Sequence, residues 1–179
     1  MSQTVGVVQI YSPVPPSKPN VGKSSTKDAS LAEMFSSAGL QVLSLASDFS
    51  VPSSTTLVLV TGLSGNLVAG KKYNFEVVLF TDSDVSAGIK LSLEGTAVLS
   101  SIIAEAICFD SGIANQARVT ALSTNAVAIT PVTNGYVTVS GSLVCTTSGT
   151  FKIHFAQNVS NAIASKVIAG SSLKIQQIT

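Results

Sequence analysis

Residues 151–178 read FKIHFAQNVSNAIASKVIAGSSLKIQQI, and the fold is decided there. Phe151, Ile153 and Phe155 alternate with Lys152 and His154, the two-residue period of a strand with one face on a core. An FAQN turn and a loop of small residues follow, and GSSLKI then opens a closing strand over Ser172–Ile178. Ser148-Gly149 turns the chain into this segment, because a tight turn needs a residue that tolerates positive φ.

Working back from this ending, the same period recurs. Tyr73, Phe75, Val77 and Leu79 share one face against Asn74 and Glu76, and Ile89, Leu91 and Leu93 alternate with Lys90, Ser92 and Glu94 up to Gly95. Val137, Val139, Gly141, Leu143 and Cys145 form another inward set after the Asn134-Gly135 turn signal. Ser101–Phe109 is apolar on both faces except at Glu105, as expected of a strand covered by a second sheet on one side and by a neighbour on the other. Thr55–Leu63 reads as a strand, and Leu63–Gly70 as a turn with a short strand. Eight or more short strands, with turn signals about every ten residues, predict an all-β antiparallel sandwich or jelly roll.

Ahead of that domain, residues 1–29 hold four of the six prolines and no sustained period, which favours extended backbone without a core of its own. They read as an N-terminal arm. Residues 30–54 read as a connection in which Ser30-Leu31-Ala32-Glu33 matches a capping box and predicts one short helix over Leu31–Ser37. The domain proper is expected over 55–179.

At 179 residues and 18.3 kDa the chain suits one packed domain with a tail. Only 11% of residues are charged, against about 25% in an ordinary domain, so part of the surface is expected to be hidden between subunits. A net charge of +1 leaves no electrostatic footprint for nucleic acid or an anionic membrane. No apolar run reaches the ~20 residues of a membrane-spanning helix, and the N-terminus lacks a signal-peptide layout, so synthesis and assembly in a cytoplasm are expected. Cys108 and Cys145 form no disulfide framework and read as buried, reduced core thiols.

The stretch LSGNLVAGKKYNFEVVLF (63–80), then AGIKLSLEGTA, SSIIAEAICFDSG and the closing FAQNVSNAIASKVIAGSSLKIQQI, resembles tailed-bacteriophage virion proteins with a tumour-necrosis-factor-like trimeric jelly-roll domain. The resemblance covers about residues 55–178. It implies a homotrimer packed around a three-fold axis on a virus particle, as a capsid decoration or cement protein or as a fibre tip. A decoration protein would contact the major capsid protein at capsomer junctions through the arm. Val5, Val7, Val8, Ile10 and Tyr11 would supply apolar contact as a strand added to a capsid sheet edge, and Lys18, Lys23 and Lys27 would meet an acidic capsid surface. The alternative is a tail-fibre or receptor-binding tip that recognises a host surface receptor; the absence of Trp and the 6% aromatic content favour the structural role.

The residues offer little to an enzyme, and no cofactor is expected. His154 is the single histidine and alternates onto the polar face beside Lys152, where a surface or subunit-interface role is expected. Asp82-Ser83-Asp84 lacks the EF-hand spacing and reads as a solvated turn. Glu105, among apolar neighbours, would be costly to bury alone, so its expected partner is Arg118 of the same subunit or the next, forming a subunit-interface ion pair. No second acid is placed to act with Glu105 or Asp110 in catalysis.

Overall fold

The computed structural model describes residues 39–110, 113–129 and 134–178. The arm residues Val5, Val7, Val8, Ile10, Tyr11, Lys18, Lys23 and Lys27, and the capping box at Ser30 with its short helix, lie outside the described residues. Among the described residues there are twelve strands and no helix: β1 Leu40–Ser44, β2 Phe49–Val51, β3 Val58–Leu67, β4 Lys72–Asp82, β5 Ile89–Gly95, β6 Val98–Asp110, β7 Ile113–Val119, β8 Asn125–Ile129, β9 Asn134–Thr147, β10 Gly149–Ala156, β11 Ser165–Val167 and β12 Ser172–Ile178. The protein is an all-β antiparallel sandwich.

One sheet runs in the order β1-β12-β4-β9-β6-β7, with β11 bridging β4 and β2; the other runs β3-β10-β5-β8. Eight of these strands nest as a folded-over hairpin. The outermost pair is β1 with β12, then β3 with β10, then β4 with β9, then β5 with β8, all antiparallel. Nested pairing split alternately between two sheets is the jelly-roll arrangement. Between β5 and β8 the chain inserts the hairpin β6–β7, and β6 joins the larger sheet along β9 while β7 forms its edge.

The alternation read from the sequence sets what each sheet buries. Tyr73, Phe75, Val77 and Leu79 of β4, Val137, Val139, Leu143 and Cys145 of β9, and Ile102, Ala104, Ala106 and Cys108 of β6 point inward from the larger sheet. Leu91, Leu93, Phe151, Ile153 and Phe155 meet them from the smaller one, with Phe75 and Phe151 packed at 4.9 Å between ring centroids. Each such side chain contributes about 1.5–3 kcal/mol by leaving water, so the interior between the sheets is the stabilising layer. Cys108 and Cys145 are buried and outside any disulfide.

β1 and β2 fall within the segment 30–54 that the sequence reads as a connection, so the sandwich starts ahead of residue 55. Leu40–Ser44 carries only five residues of pattern, and its partner β12 lies far along the chain. β3 continues to Leu67, so the short strand and the turn expected over Leu63–Gly70 are both present, the turn at Ala69–Gly70. Gly65 lets β3 lie close to β12: a Cβ there would collide with the Ile175 side chain, which occupies the space above it.

Candidate functional site

Period two sends the other half of each strand to the outer face of the larger sheet, and pairing decides which of those residues become neighbours. Phe80 of β4 stands opposite Tyr136 of β9, and Tyr136 opposite Phe109 of β6. Their ring centroids lie 5.6 Å and 6.3 Å apart. The row is 45%, 36% and 47% exposed at Phe80, Tyr136 and Phe109, and Ile103, further down β6, is 52% exposed. Half-buried Val78 and Ile107 lie next to the row on the same face. These residues make an uncovered apolar strip across three strands, larger than the scattered apolar residues of an ordinary surface.

Four residues along the strands from the aromatic row comes a charged line. Arg118 of β7 pairs with Glu105 of β6, Glu105 with Ser140 of β9, Ser140 with Glu76 of β4, and Glu76 with Lys174 of β12. Lys174 Nζ reaches Glu76 Oε2 at 3.0 Å, the one ion pair among the described residues. Glu105 and Arg118 stand in register without closing a bridge, and both are exposed. The burial cost expected for Glu105 does not arise in the single chain, because its apolar sequence neighbours Ala104 and Ala106 point to the opposite side of the sheet. A groove of about 610 Å³ lies here, lined by Ile103, Glu105, Gln116, Arg118 and Ser140.

His154 faces out from the smaller sheet, half-buried, with Leu59 and Ser92 as its lateral neighbours. Ser92 is buried and donates its hydroxyl to Glu94 Oε1 at 2.6 Å, and Ser123 donates to the other carboxylate oxygen. The serine proton is thus committed to Glu94 rather than to the imidazole, which is the wrong connectivity for a nucleophile activated by a histidine.

Asp84 caps its own loop. Its Oδ1 accepts from the Ser86 hydroxyl and from the Ser86 N–H at 2.9 Å, and these bonds hold its carboxyl below the ordinary value. Asn161 Nδ2 reaches the same oxygen at 3.2 Å and the Ser86 hydroxyl at 2.8 Å, tying this loop to the one between β10 and β11. Asp84 therefore serves local geometry, and no cluster of three or more metal-ligating side chains occurs among the described residues. Burial pushes the Cys145 thiol up, against thiolate chemistry. No helix among the described residues is long and apolar enough to cross a membrane.

The sequence reading put Glu105 and Arg118 together, and the structure places them in register on one face. It missed the aromatic row. Alternation alone shows that Phe80, Phe109 and Tyr136 point outward, but only strand register shows that they align.

No family model matches the sequence, and no curated protein matches it. Solved structures with some likeness include the tripod from the baseplate of bacteriophage Tuc2009, at 10% identity and a TM-score of 0.27, with 98% of this chain and 79% of that chain covered. Another is the infectious bursal disease virus VP2 subviral particle, at 11% identity and a TM-score of 0.21, covering 78% of this chain and 41% of that one. At such TM-scores neither likeness carries functional weight.

Proposed function

We propose that this chain is a non-enzymatic structural protein of a bacteriophage particle, a homotrimeric decoration or cement protein on the capsid surface. It binds the major capsid protein at capsomer junctions through residues 1–29 and stabilises the head. The resemblance of residues 55–178 to phage jelly-roll domains supports this reading, as does the low charge of the chain.

The observation that carries it is where the preceding residues join the domain. The Gly39 carbonyl accepts from the Gln177 N–H at 3.0 Å, and β1 then follows as the outer strand of the larger sheet. Gly39, the first described residue, thus lies at a sheet edge. Val5, Val7, Val8, Ile10 and Tyr11 can engage a partner, with Lys18, Lys23 and Lys27 on an acidic surface, while the sandwich stays intact. Three weak arms on one trimer gain effective concentration and hold neighbouring capsomers together.

A tail-fibre or receptor-binding tip is the second reading, favoured by the exposed row Phe80–Tyr136–Phe109, since aromatic side chains are common anchors of recognition surfaces. The discriminating experiment is binding of the full-length protein, and of protein lacking residues 1–29, to capsids stripped of it, read out as capsid heat resistance. Binding and a raised disruption temperature with the full-length form only are expected. Failure of both forms to bind overturns the cement reading in favour of the tip.

A further inference from the structure

Among the described residues nothing covers the outer face of the larger sheet. We propose that it packs against further copies of this same chain. The aromatic row of one copy lies against the groove of the next, and Arg118 of one copy pairs with Glu105 of its neighbour. This deepens the trimeric reading above and rests on it, by naming the surface that the subunits share.

Three observations carry the assignment. First, on its six strands the face bears three acids and three bases, Glu76, Glu105 and Asp82 with Arg118, Lys174 and Lys72, so two such faces meet without net repulsion. A surface of one sign would instead call for an unlike partner. Second, Glu76 and Lys174 satisfy each other at 3.0 Å, whereas Glu105 and Arg118, equally well placed in register, do not. A surface that displays both halves of an unclosed ion pair is complementary to itself. Third, the ridge Phe80–Tyr136–Phe109 and the groove lined by Ile103, Glu105 and Arg118 sit on one face, displaced along the strands.

The dimensions also agree. Six strands about 4.8 Å apart give a width of ~24 Å, and an eleven-residue strand gives ~35 Å, so the face offers about 800 Å². Divided between the two neighbours that a subunit meets in a trimer, it gives about 400 Å² toward each, the lower end of specific interfaces. The charged line crosses the middle of β4, β9 and β6 and the aromatic row lies toward one end of the same strands, so the two are offset along the face.

The test uses the full chain and measures molar mass by sedimentation velocity and light scattering across a concentration series. Thermal unfolding confirms that each variant is folded. The wild type is expected to be oligomeric. Glu105→Arg and Arg118→Glu, each alone, and Tyr136→Ser are expected to weaken association by about tenfold or more, as charge repulsion or the loss of a central aromatic does at interfaces. Mixing the Glu105→Arg and Arg118→Glu chains is expected to recover association in part, because two of the three contacts in a mixed trimer bring opposite charges together while one keeps like charges. Recovery in the mixture requires a pair that crosses between copies and would not follow from one closed within a chain.

If the wild type is a trimer that none of these substitutions weakens, the trimeric reading stands and this face is not its interface. A wild type that stays monomeric at all concentrations overturns both. A dimer with the mutational pattern described keeps the face and removes the three-fold reading.

Discussion

Gln157 grips the backbone of Asn161 at both ends: its Oε1 accepts from the Asn161 N–H and its Nε2 donates to the Asn161 carbonyl, each at 3.0 Å. The same carboxamide accepts from the Ser54 N–H at 3.1 Å and donates to the Ile163 carbonyl at 2.7 Å. Gln157 is fully buried, so a side-chain amide here takes the place of a strand partner for an irregular loop. Gln157→Ala strands three backbone groups, since the Asn161 carbonyl keeps the Ser53 N–H at 2.9 Å, and is expected to lower stability by about 2–4 kcal/mol. Urea unfolding gives the value; a loss under about 1 kcal/mol would mean water replaces the amide.

Gly141 and Gly70 should respond differently to a methyl group. At Gly141 a Cβ would overlap the Ile103 carbonyl oxygen and the Ala104 side chain, where β9 approaches β6, while at Gly70, φ +76°, nothing lies within 4 Å. Gly141→Ala is expected to cost about 2–4 kcal/mol through the clash, and Gly70→Ala about 1 kcal/mol through backbone strain. Comparable denaturation midpoints for the two variants would contradict the close packing of β9 on β6.

Acid should loosen the loop between β4 and β5. The Ser86 bonds lower the Asp84 pKa in the folded chain, so their contribution is present above the ordinary value of 3.8 and is lost as pH falls through the lowered one. Hydrogen exchange of the Ser86 amide is expected to show protection at pH 5 that declines below about pH 3.8. In Asp84→Asn that decline should disappear; its persistence would assign the acid response to another group.

The Glu76–Lys174 bridge should matter little to a single chain. Both side chains are about half exposed, and exposed pairs typically contribute under about 1 kcal/mol. Lys174→Ala is expected to shift stability by no more than about 0.5 kcal/mol, with a smaller effect in high salt. A larger loss in thermal unfolding would show that the pair is shielded by something beyond the chain.

Cys145 should resist thiol reagents in the folded state. Burial raises its pKa, and the side chain is inaccessible. Its labelling at pH 8 is expected to follow global unfolding, and rapid labelling of the native protein would reveal a local opening of β9.

The inward sets on β4, β5, β9 and β10 were legible because alternation with Asn, Lys, Ser and Glu states the face outright. The bounds of β12 were legible for the same reason, helped by the glycine at 170. β1 was not: LQVLS is short, and the pairing that makes it a strand comes from Leu173 and Ile175, far along the chain. Glu105 and Arg118 were matched by charge, but the row of Phe80, Tyr136 and Phe109 was not visible. Sequence fixes which side of a strand a residue takes, whereas lateral neighbours depend on the order and register of strands distant in sequence.

The nesting of the strands also sets a timetable. β1 finds its hydrogen-bonded neighbour only in β12, roughly 130 residues later, and at about 5–20 residues per second the ribosome needs on the order of ten seconds to make that stretch. The first strand of the larger sheet is therefore among the last to be locked in place. Until synthesis has passed Ser172–Ile178, that edge of the sheet cannot close on a nascent chain, however early its own residues are made.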